Sequence, residues 1–509
     1  MFMTAKAIMI QGTSSDVGKS VICTAFCRIF SNDGLRVVPF KSQNMALNSF
    51  VTSDGGEIGR AQGVQAEAAR VVATTDMNPI LLKPKQDMVS EVIVHGKHFL
   101  DMDARSYRNN FVQEAMPIVE QSVRKLQQSY DVIVLEGAGS PAEINLKDRD
   151  IANMRMAHLA DAAVILVADI DRGGVFASIV GTLALLDEAE RKRVKGIIIN
   201  KFRGMRELLD DGIRWVEQET GIPVLGVVPY IDVNIEAEDS LALSSLRFKK
   251  PKQNEFAIDV AMIRLPRISN FTDVDPLFDE PDVGVRLVSS LKELGEPDLL
   301  IIPGTKNTIG DLAWLKEEGF DRAICELHVK GKRVIGICGG FQMLGCELLD
   351  PDAVEGSGES AIGLSLLPVK TVFNKEKKTK QMTGRLVQAI GLSEMTLSGF
   401  EIHLGRTKID AAKASPFLLL EDGREDGAVS NDGRVIGTYF HGVFHNRQFT
   451  RELVNQIRKQ KGLPEVQETV KSDAERREEA YNLLANHVKQ HMDMERVYQL
   501  INPEFSFKS

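Results

Sequence analysis

The sequence predicts an α/β protein with two parallel-sheet domains and a short helical tail. In the first half, short apolar runs alternate with helical patterns, which is typical of a doubly wound domain. Residues 236–256 change from acidic to serine-rich to basic, which predicts a linker. We therefore expect domains at residues 1–235 and 257–447 and a helical extension at 448–509. The predicted strands are Ala7–Ile10, Val37–Phe40, Val132–Leu135, Ala163–Val167, Gly196–Ile199 and Val224–Val227 in the first domain, and Ile258–Ile263 at the start of the second.

The composition is that of a globular protein that acts on small molecules. Of 509 residues, 43% are hydrophobic and 26% are charged, which is ordinary for folded domains. A net charge of −9 argues against nucleic acid or an anionic membrane as the main partner. Five cysteines without a paired spacing favour a reducing compartment, and no apolar run reaches the roughly 18 residues of a membrane span. We expect a cytoplasmic protein with small-molecule partners, and the sequence leaves its oligomeric state open.

A glycine-rich loop, GTSSDVGKS, follows the first predicted strand and precedes a helical pattern at Val21–Phe30. In this context loop N–H groups bind phosphates, a lysine reaches the outer phosphates and a hydroxyl ligates Mg²⁺. We expect Lys19 and Ser20 in the last two roles, against the alternative of a plain glycine turn. Five residues separate Gly12 from Gly18, and this longer spacing resembles the loop of dethiobiotin synthetase and its relatives, which form acyl phosphates on carboxylate substrates. The predicted ATP contacts in the loop are Gly12, Thr13, Ser14, Asp16, Val17, Gly18, Lys19 and Ser20.

Polar residues follow several of the predicted strands, where ligands of such sheets bind. Glu136 is the first choice for a magnesium contact beside Ser20, and Asp54 and Glu57 are further candidates. The alternative for each acid is a solvated strand end or a helix cap. In relatives of dethiobiotin synthetase, residues at the end of the strand corresponding to Gly196–Ile199 contact the adenine. The predicted ATP contacts therefore also include Asn200 and Lys201, and Lys41 is added because it follows the predicted strand Val37–Phe40.

The segment Lys41–Arg70 begins with amide and small polar side chains and becomes helical from Glu57. Beside a phosphate site, such a segment suits a substrate that carries carboxylates and carboxamides. The alternative is an exposed loop followed by a surface helix. The predicted substrate contacts are Gln43, Asn44 and Asn48.

The second domain contains a candidate nucleophile on a tight turn. The run VIGICGGFQMLG (Val334–Gly345) predicts a buried strand that ends at Cys338 and a helix that begins directly after it. Glycines such as Gly336 and Gly340 allow the strained turn and the approach of a substrate. The helix N-terminus favours a thiolate and a developing oxyanion. The alternative is a buried core cysteine, which is the interpretation we favour for Cys23, Cys27, Cys325 and Cys346.

This turn and the downstream run GTYFHGVFHN resemble the class I glutamine amidotransferase domain, in which a cysteine attacks the amide of glutamine and a histidine transfers the proton. The resemblance implies that Cys338 and His441 are catalytic and that the N–H groups of Gly304 and Gly339 hold the oxyanion. Many members carry a glutamate two residues past the histidine, where this chain has Val443. We therefore predict a Cys–His dyad. The competing bases are His403 and His445.

Three further segments allow structural predictions. The polar residues 264–275 should face the first domain or cover the glutamine site. The basic run at 374–381 predicts a solvated hairpin loop, with a phosphate or substrate contact as the alternative. In the extension, Tyr481, Leu484 and Val488 keep a helical apolar spacing, and we expect this helix to dock on the second domain.

Over nearly its whole length the sequence resembles the cobyric acid synthase family, the glutamine-dependent amidases of the cobalamin pathway. The resemblance implies ATP and Mg²⁺ as cofactors and adenosylcobyrinic acid a,c-diamide as a substrate rather than a cofactor. Amidation of its b, d, e and g propionates would give adenosylcobyric acid. The matching stretches are Ser42–Ser49, Gly56–Gln62, Met77–Pro84, Glu136–Leu146, Asp150–Met154, Asp171–Ser178, Gly336–Gly345 and Gly437–Phe444.

Three other functions compete with this interpretation. The nearest is the cobyrinic acid a,c-diamide synthase, which amidates the a and c acetates and shares both domain types; Ser42–Ser49 and the residues after Glu136 argue against it. A cell-wall amidating enzyme would need a different ATP site. A partitioning-type regulatory ATPase would share the phosphate loop but would leave Cys338 and the second domain unused.

Overall fold

The computed structural model describes residues 5–232, 256–355, 358, 360–387, 390–467 and 471–504, and only the backbone of Gln86. Apart from Phe256, the predicted linker at 236–256 lies outside these residues. None of the helices in the described ranges combines the length and the apolar character that a membrane crossing requires.

The N-terminal part, residues 5–232, is built on a six-stranded parallel sheet. The strand Lys6–Gly12 lies between two hydrophobic cores. Ile8 and Ile10 pack into the core on one side of the sheet, and Ala7 and Met9 pack into the core on the other side. All six predicted strands are confirmed, and so is the doubly wound fold. In spatial order the strands are Val224–Pro229, Val194–Phe202, Ala163–Asp169, Lys6–Gly12, Val132–Glu136 and Val37–Phe40. The helices are Lys19–Asn32, Arg60–Ala68, Val112–Ser129, Met154–Leu159, Val175–Leu185, Glu188–Arg193 and Asp210–Thr220.

Two small sheets carry the amide-rich segment. A strand pair, Ser49–Val51 with Glu57–Gly59, leads into the helix Arg60–Ala68. Asn44 and Asn48 are buried, so this segment is not the exposed loop that was the alternative. The second small sheet has the strands Gln43–Met45, Ile80–Gln86, Val89–Val94 and Lys97–Asp103.

The C-terminal part, residues 256–467, is built on a seven-stranded sheet in which five strands pair in parallel and two more are added by antiparallel pairing. Its apolar strands lie in one large core, and the predicted α/β fold is confirmed. In spatial order the strands are Val283–Val288, Ile258–Ile263, Leu299–Ile302, Arg333–Ile337, Val435–Thr438, Ala428–Ser430 and Ala414–Ser415. The helices are Leu291–Leu294, Thr308–Glu317, Phe320–Val329, Gly339–Leu344 and Arg447–Gln460.

A further sheet of this part contains the basic run. The prediction that residues 374–381 form a solvated hairpin loop is wrong, because they lie within a long strand and the side chain of Lys377 is only 11% exposed. Lys377 is buried because it pairs with two buried carboxylates, Glu57 and Glu91, from the N-terminal part. The sheet contains Ala361–Ile362, Glu347–Leu349, Val369–Leu386, Leu418–Leu420 and Glu425–Asp426, and Thr396–Ile409 pairs with Val369–Leu386.

Residues 264–275 have both of the positions predicted for them. Asn270 accepts a hydrogen bond of 3.0 Å from the backbone N–H of Ser49 in the N-terminal part. Asp273, in the same segment, contacts the candidate catalytic His441. The segment therefore links the N-terminal part to the predicted glutamine site.

The prediction that the tail docks on the C-terminal part is wrong. The tail helices, Asp473–Gln490 and Met494–Gln499, pack their apolar residues into a core of the N-terminal part. Arg28, whose side chain is 0% exposed, forms hydrogen bonds of 2.7 and 2.8 Å with the carboxylate of Glu478. Because an unpaired buried guanidinium is unfavourable, this contact together with the apolar face selects the N-terminal part as the docking surface. The helix Arg447–Gln460 does pack on the C-terminal part.

Candidate active sites

The phosphate loop is closed by contacts among the residues predicted to bind ATP. Gly18, with φ of 98°, begins the helix Lys19–Asn32. The ammonium of Lys19 donates to the backbone oxygens of Ser14 and Gly139, each at 3.0 Å. Asn200 donates to the backbone oxygen of Val17 at 2.8 Å. A Cβ on Gly18 would lie 2.2 Å from the Asn200 amide, so this close approach requires glycine. Lys201 contacts the backbone oxygen of Asp16 and the carboxylate of Asp169.

Glu136 lies at the centre of a buried hydrogen-bond network beside the loop. Its Oε1 accepts hydrogen bonds of 2.9 Å from both Ser20 and Lys41, and its Oε2 accepts one of 2.6 Å from Gln65. Burial raises the pKa of Glu136, but the charge of Lys41 and the three hydrogen bonds outweigh it and hold the pKa below its usual value. Glu136 is therefore an ionised carboxylate next to a hydroxyl, which is a donor set that suits Mg²⁺.

The other two magnesium candidates, Asp54 and Glu57, form contacts with other side chains away from Ser20. Asp54 is exposed and accepts a hydrogen bond of 3.2 Å from Thr75. Glu57 is fully buried and pairs with Lys83 and Lys377. The geometry therefore favours Glu136 as the partner of Ser20. The sequence interpretation missed Gln65, because its amide stands in an alanine-rich helix with no motif of its own.

A cavity of about 1210 Å³ opens beside the phosphate loop and includes Ser15 and Gly139 in its wall. Of the three predicted substrate contacts only Gln43 lines it, and the side chain of Gln43 accepts a hydrogen bond of 2.6 Å from Tyr107. Asn44 instead donates to Gln62 at 2.8 Å in a buried position. Asn48 is also buried. The sequence interpretation missed the basic residues of the wall, which are Arg105, Arg108, Lys147, Arg149, Arg155 and Arg193.

Cys338 has the backbone conformation that its glycine neighbours predicted. It joins the strand Arg333–Ile337 to the helix Gly339–Leu344 with φ of 53° and ψ of −107°, a strained conformation for a residue with a side chain. A Cβ on Gly340 would lie 2.0 Å from the backbone oxygen of Ile302. Only glycine allows the helix to begin this close to the neighbouring strand. The turn therefore places the thiol of Cys338 at the N-terminus of the helix Gly339–Leu344.

His441 is held by an aspartate that the sequence interpretation did not assign. Its Nδ1 lies 2.6 Å from Asp273 Oδ2, and the N–H of Gly442 donates to Asp273 Oδ1 at 2.8 Å. Burial lowers the pKa of His441, but the charge and hydrogen bond of Asp273, together with Cys338, raise it to about 10. Asp273 is therefore a candidate third residue beside the predicted Cys338–His441 dyad, and together the three residues form a candidate triad. Asp273 lies 168 positions before His441, so no fixed spacing could reveal it.

The two predicted oxyanion glycines lie against this triad. A Cβ on Gly304 would be 3.3 Å from the His441 ring, and a Cβ on Gly339 would be 3.1 Å from the backbone N of Thr305. The loop at Gly304 therefore meets the N-terminus of the helix that follows Cys338. This is where N–H groups stabilise an oxyanion in acyl transfer.

The two competing histidines are held by other contacts. His403 stacks on Tyr439 with ring centroids 3.7 Å apart, and its nitrogens face Gly405 O at 2.7 Å and Glu401 at 3.3 Å. His445 faces Asp473 at 2.6 Å and the backbone oxygen of Thr272 at 3.3 Å. His441 is therefore the base that the geometry favours.

A narrow cavity at Cys338 reaches the boundary between the two parts. Its wall includes Lys83 of the N-terminal part and Lys306 and Lys377 of the C-terminal part. We call these lysines with Glu57 and Glu91 the boundary cluster. Lys83 lies 3.1 Å from Glu57, Lys377 contacts both glutamates, and Lys306 lies 2.5 Å from Glu91.

Comparison with known proteins agrees with this division. Residues 8–242 match the CobQ/CobB/MinD/ParA nucleotide binding domain, and residues 259–449 match the CobB/CobQ-like glutamine amidotransferase domain. The cobyric acid synthase of Anoxybacillus flavithermus is 52% identical over 494 residues, which are 97% of this chain and 96% of that protein. The cobyric acid synthase of Desulforamulus reducens is 52% identical over 508 residues, 98% of each chain. The chain therefore belongs to the cobyric acid synthase family and is a glutamine-hydrolysing amidating enzyme.

Proposed function

We propose that this enzyme converts adenosylcobyrinic acid a,c-diamide to adenosylcobyric acid by amidating the b, d, e and g propionates with ATP and glutamine. The observation that carries the proposal is that one chain joins a large, arginine-lined cavity beside a phosphate loop to a cysteine elbow with its own cavity. A corrinoid with several carboxylates needs such a wide site, and the arginine guanidinium groups of the wall suit carboxylates. The 52% identity to cobyric acid synthases over almost the full length supports the choice of acceptor.

In the N-terminal part, the residues of the phosphate loop would bind and orient ATP next to the acceptor carboxylate. When bound with Mg²⁺, ATP supplies the phosphoryl group that turns a carboxylate into an acyl phosphate with a good leaving group. Lys19 would offset charge on the outer phosphates, and Ser20 and Glu136 would hold the metal ion. Lys41, which already pairs with Glu136 at 2.9 Å, would keep this carboxylate ionised.

In the C-terminal part, the Cys338 thiolate would attack the side-chain amide carbon of glutamine. The N–H groups at Gly304 and Gly339 would stabilise the oxyanion, and His441 would give its proton to the departing ammonia. Water would then hydrolyse the thioester to glutamate, with His441 as the base. Asp273 would orient His441 through Nδ1 and stabilise its protonated form.

The organisation of the chain follows from these two roles. We propose a synthetase domain over residues 1–235, a linker over 236–256, an amidotransferase domain over 257–447 and an extension over 448–509. The reaction uses cytoplasmic metabolites, so we place the enzyme in the cytoplasm.

The test is to supply cobyrinic acid a,c-diamide and Mg-ATP with either glutamine or ammonium at raised pH, and to count added amides by mass spectrometry. The wild type should reach the hexa-amide with both nitrogen sources. Cys338→Ala should lose glutamine-driven turnover and keep ammonia-driven turnover. An untouched diamide would overturn the acceptor assignment, and unamidated cobyrinic acid would then be the next substrate to test. A Cys338→Ala enzyme that still uses glutamine would overturn the role of the elbow.

A further inference from the structure

The wall of the Cys338 cavity contains a buried carboxylate, Glu355, that forms no ion pair with any described residue. Glu355 is 8% exposed, and its Oε2 accepts a hydrogen bond from the backbone N–H of Thr308, which also lines the cavity. Within the described ranges of the chain, no lysine or arginine lies at ion-pair distance from Glu355. The loop that carries it is fixed by Asp350, which accepts hydrogen bonds from the N–H groups of Val354 at 2.7 Å and Glu355 at 2.8 Å.

Two other buried glutamates nearby show what is different about Glu355. Glu57 and Glu91, in the boundary cluster, are paired with lysines, and these lysines hold their pKa values below the usual range despite burial. At Glu355, burial dominates over the more distant Lys306 and the Thr308 N–H, and it raises the pKa to about 7. Burial disfavours the ionised form of such a carboxylate, and a cation that enters the cavity would stabilise it.

The boundary cluster supplies the opposite charge on the same cavity. Three lysines, Lys83, Lys306 and Lys377, line the wall, and among the described residues their ion-pair partners are the two glutamates of the cluster. The cluster therefore has one excess positive charge. A cavity with a nucleophile, an uncompensated carboxylate and an excess ammonium complements a zwitterion that carries a side-chain amide.

We propose that Glu355 binds the α-ammonium group of glutamine and thereby selects an α-amino acid as the nitrogen donor, with the α-carboxylate directed to the boundary cluster. This inference rests on the proposed glutaminase role of Cys338. Glu355 would then be a specificity-determining residue, which contacts glutamine but not the C–N bond of the side-chain amide that breaks.

The test compares glutamine with glutaramate, which is the same amide without the α-amino group, in wild type and Glu355→Gln. Release of ammonia from each is measured as kcat/KM. The wild type should prefer glutamine by about 10- to 100-fold, the range of a hydrogen bond to a charged group. Glu355→Gln should lose most of this preference because its glutamine kcat/KM falls and its glutaramate kcat/KM does not. Glu355→Asp, which keeps the charge, should restore part of the preference.

Two results would overturn the inference. One is a wild type that uses both amides equally; the other is a Glu355→Gln enzyme that loses activity with both amides in the same proportion, which is the result of a merely structural role. Asp350→Asn, which loosens the loop without removing the Glu355 charge, is the control for that structural effect. Ammonia-driven amidation by Glu355→Gln reports whether the rest of the enzyme is folded. If Cys338→Ala still hydrolyses glutamine, the glutaminase assignment itself fails, which is a different outcome from an unchanged preference in Glu355→Gln.

Discussion

The two candidate sites differ in how open they are to solvent. At the phosphate loop, Lys19 and Glu136 are held by contacts within the protein, and the adjoining cavity of about 1210 Å³ is wide. At the elbow, Cys338 is 9% exposed, His441 is 0% exposed, and the cavity is narrow. A large acceptor needs an open entrance, whereas a thioester and free ammonia must be shielded from bulk water. The comparison predicts that substitutions at the phosphate loop reduce amidation with both glutamine and ammonia. Substitutions at the elbow should reduce only amidation with glutamine.

The largest effect is expected at the phosphate loop. Lys19→Met should reduce amidation by a factor on the order of 10⁵ with both glutamine and ammonia, because the charge that offsets the outer phosphates is lost. Amide formation is measured with each nitrogen source. Lys195→Met, an exposed lysine on the strand Val194–Phe202, is the matched control and should be near wild type. Loss with glutamine alone would contradict the separation of the two sites.

Asp273→Asn should reduce only glutamine-driven turnover, by about 10⁴-fold, because His441 loses its orientation and its correct tautomer. The pKa of His441, which Asp273 and Cys338 raise to about 10, should fall towards the ordinary histidine value of 6.5. A raised histidine pKa stabilises the fold most fully below pH 6.5, and this effect is lost as the pH rises through about 10. The variant should lack this stabilisation, so its stability should depend less on pH between about 6.5 and 10. Glutaminase rates and unfolding are followed against pH. Asp279→Asn, an aspartate in the same 3₁₀ segment that contacts Arg447, is the control; an equal loss there would contradict the triad.

The boundary cluster should respond through stability. Lys377→Met leaves Glu57 and Glu91 buried with fewer cations, and we expect a loss of about 3–5 kcal/mol in the free energy of unfolding. Urea denaturation measures the loss, and Lys375→Met, an exposed neighbour on the same strand, should change stability little. Equal effects of the two variants would show that burial of the lysine is unimportant.

The smallest effect is expected where the tail helices meet Arg28. Glu478→Gln should destabilise the protein by about 1–2 kcal/mol, because Glu478 is 44% exposed and partly screened although Arg28 is buried. The hydrogen bond from Arg28 lowers the pKa of Glu478, so this stabilisation exists above the unfolded pKa and disappears as the pH falls through the folded pKa. Thermal unfolding at neutral and acidic pH measures it. Glu479→Gln, which removes an exposed pair with Lys471, is the control.

The sequence predicted the parts of the molecule that depend on local patterns. Apolar runs located the six strands of the first sheet, and the glycines around Cys338 anticipated its strained backbone. Asp273 was missed because its role depends on a contact with His441 that only the folded chain creates. The basic run at 374–381 was misassigned for the same kind of reason, since charge suggests solvent until a buried partner such as Glu57 is known.

The docking of the tail helices on the N-terminal part has a consequence for synthesis. Arg28 and Glu478 are 450 residues apart, so the first helix of the protein emerges long before the segment that covers it. At about 5–20 residues per second, the ribosome needs roughly 20–90 s to make the chain between them. During that time the apolar face that later packs on Leu484 and Val488 is uncovered. The nascent N-terminal part therefore has to persist with an incomplete core until the tail helices, Asp473–Gln490 and Met494–Gln499, have been made.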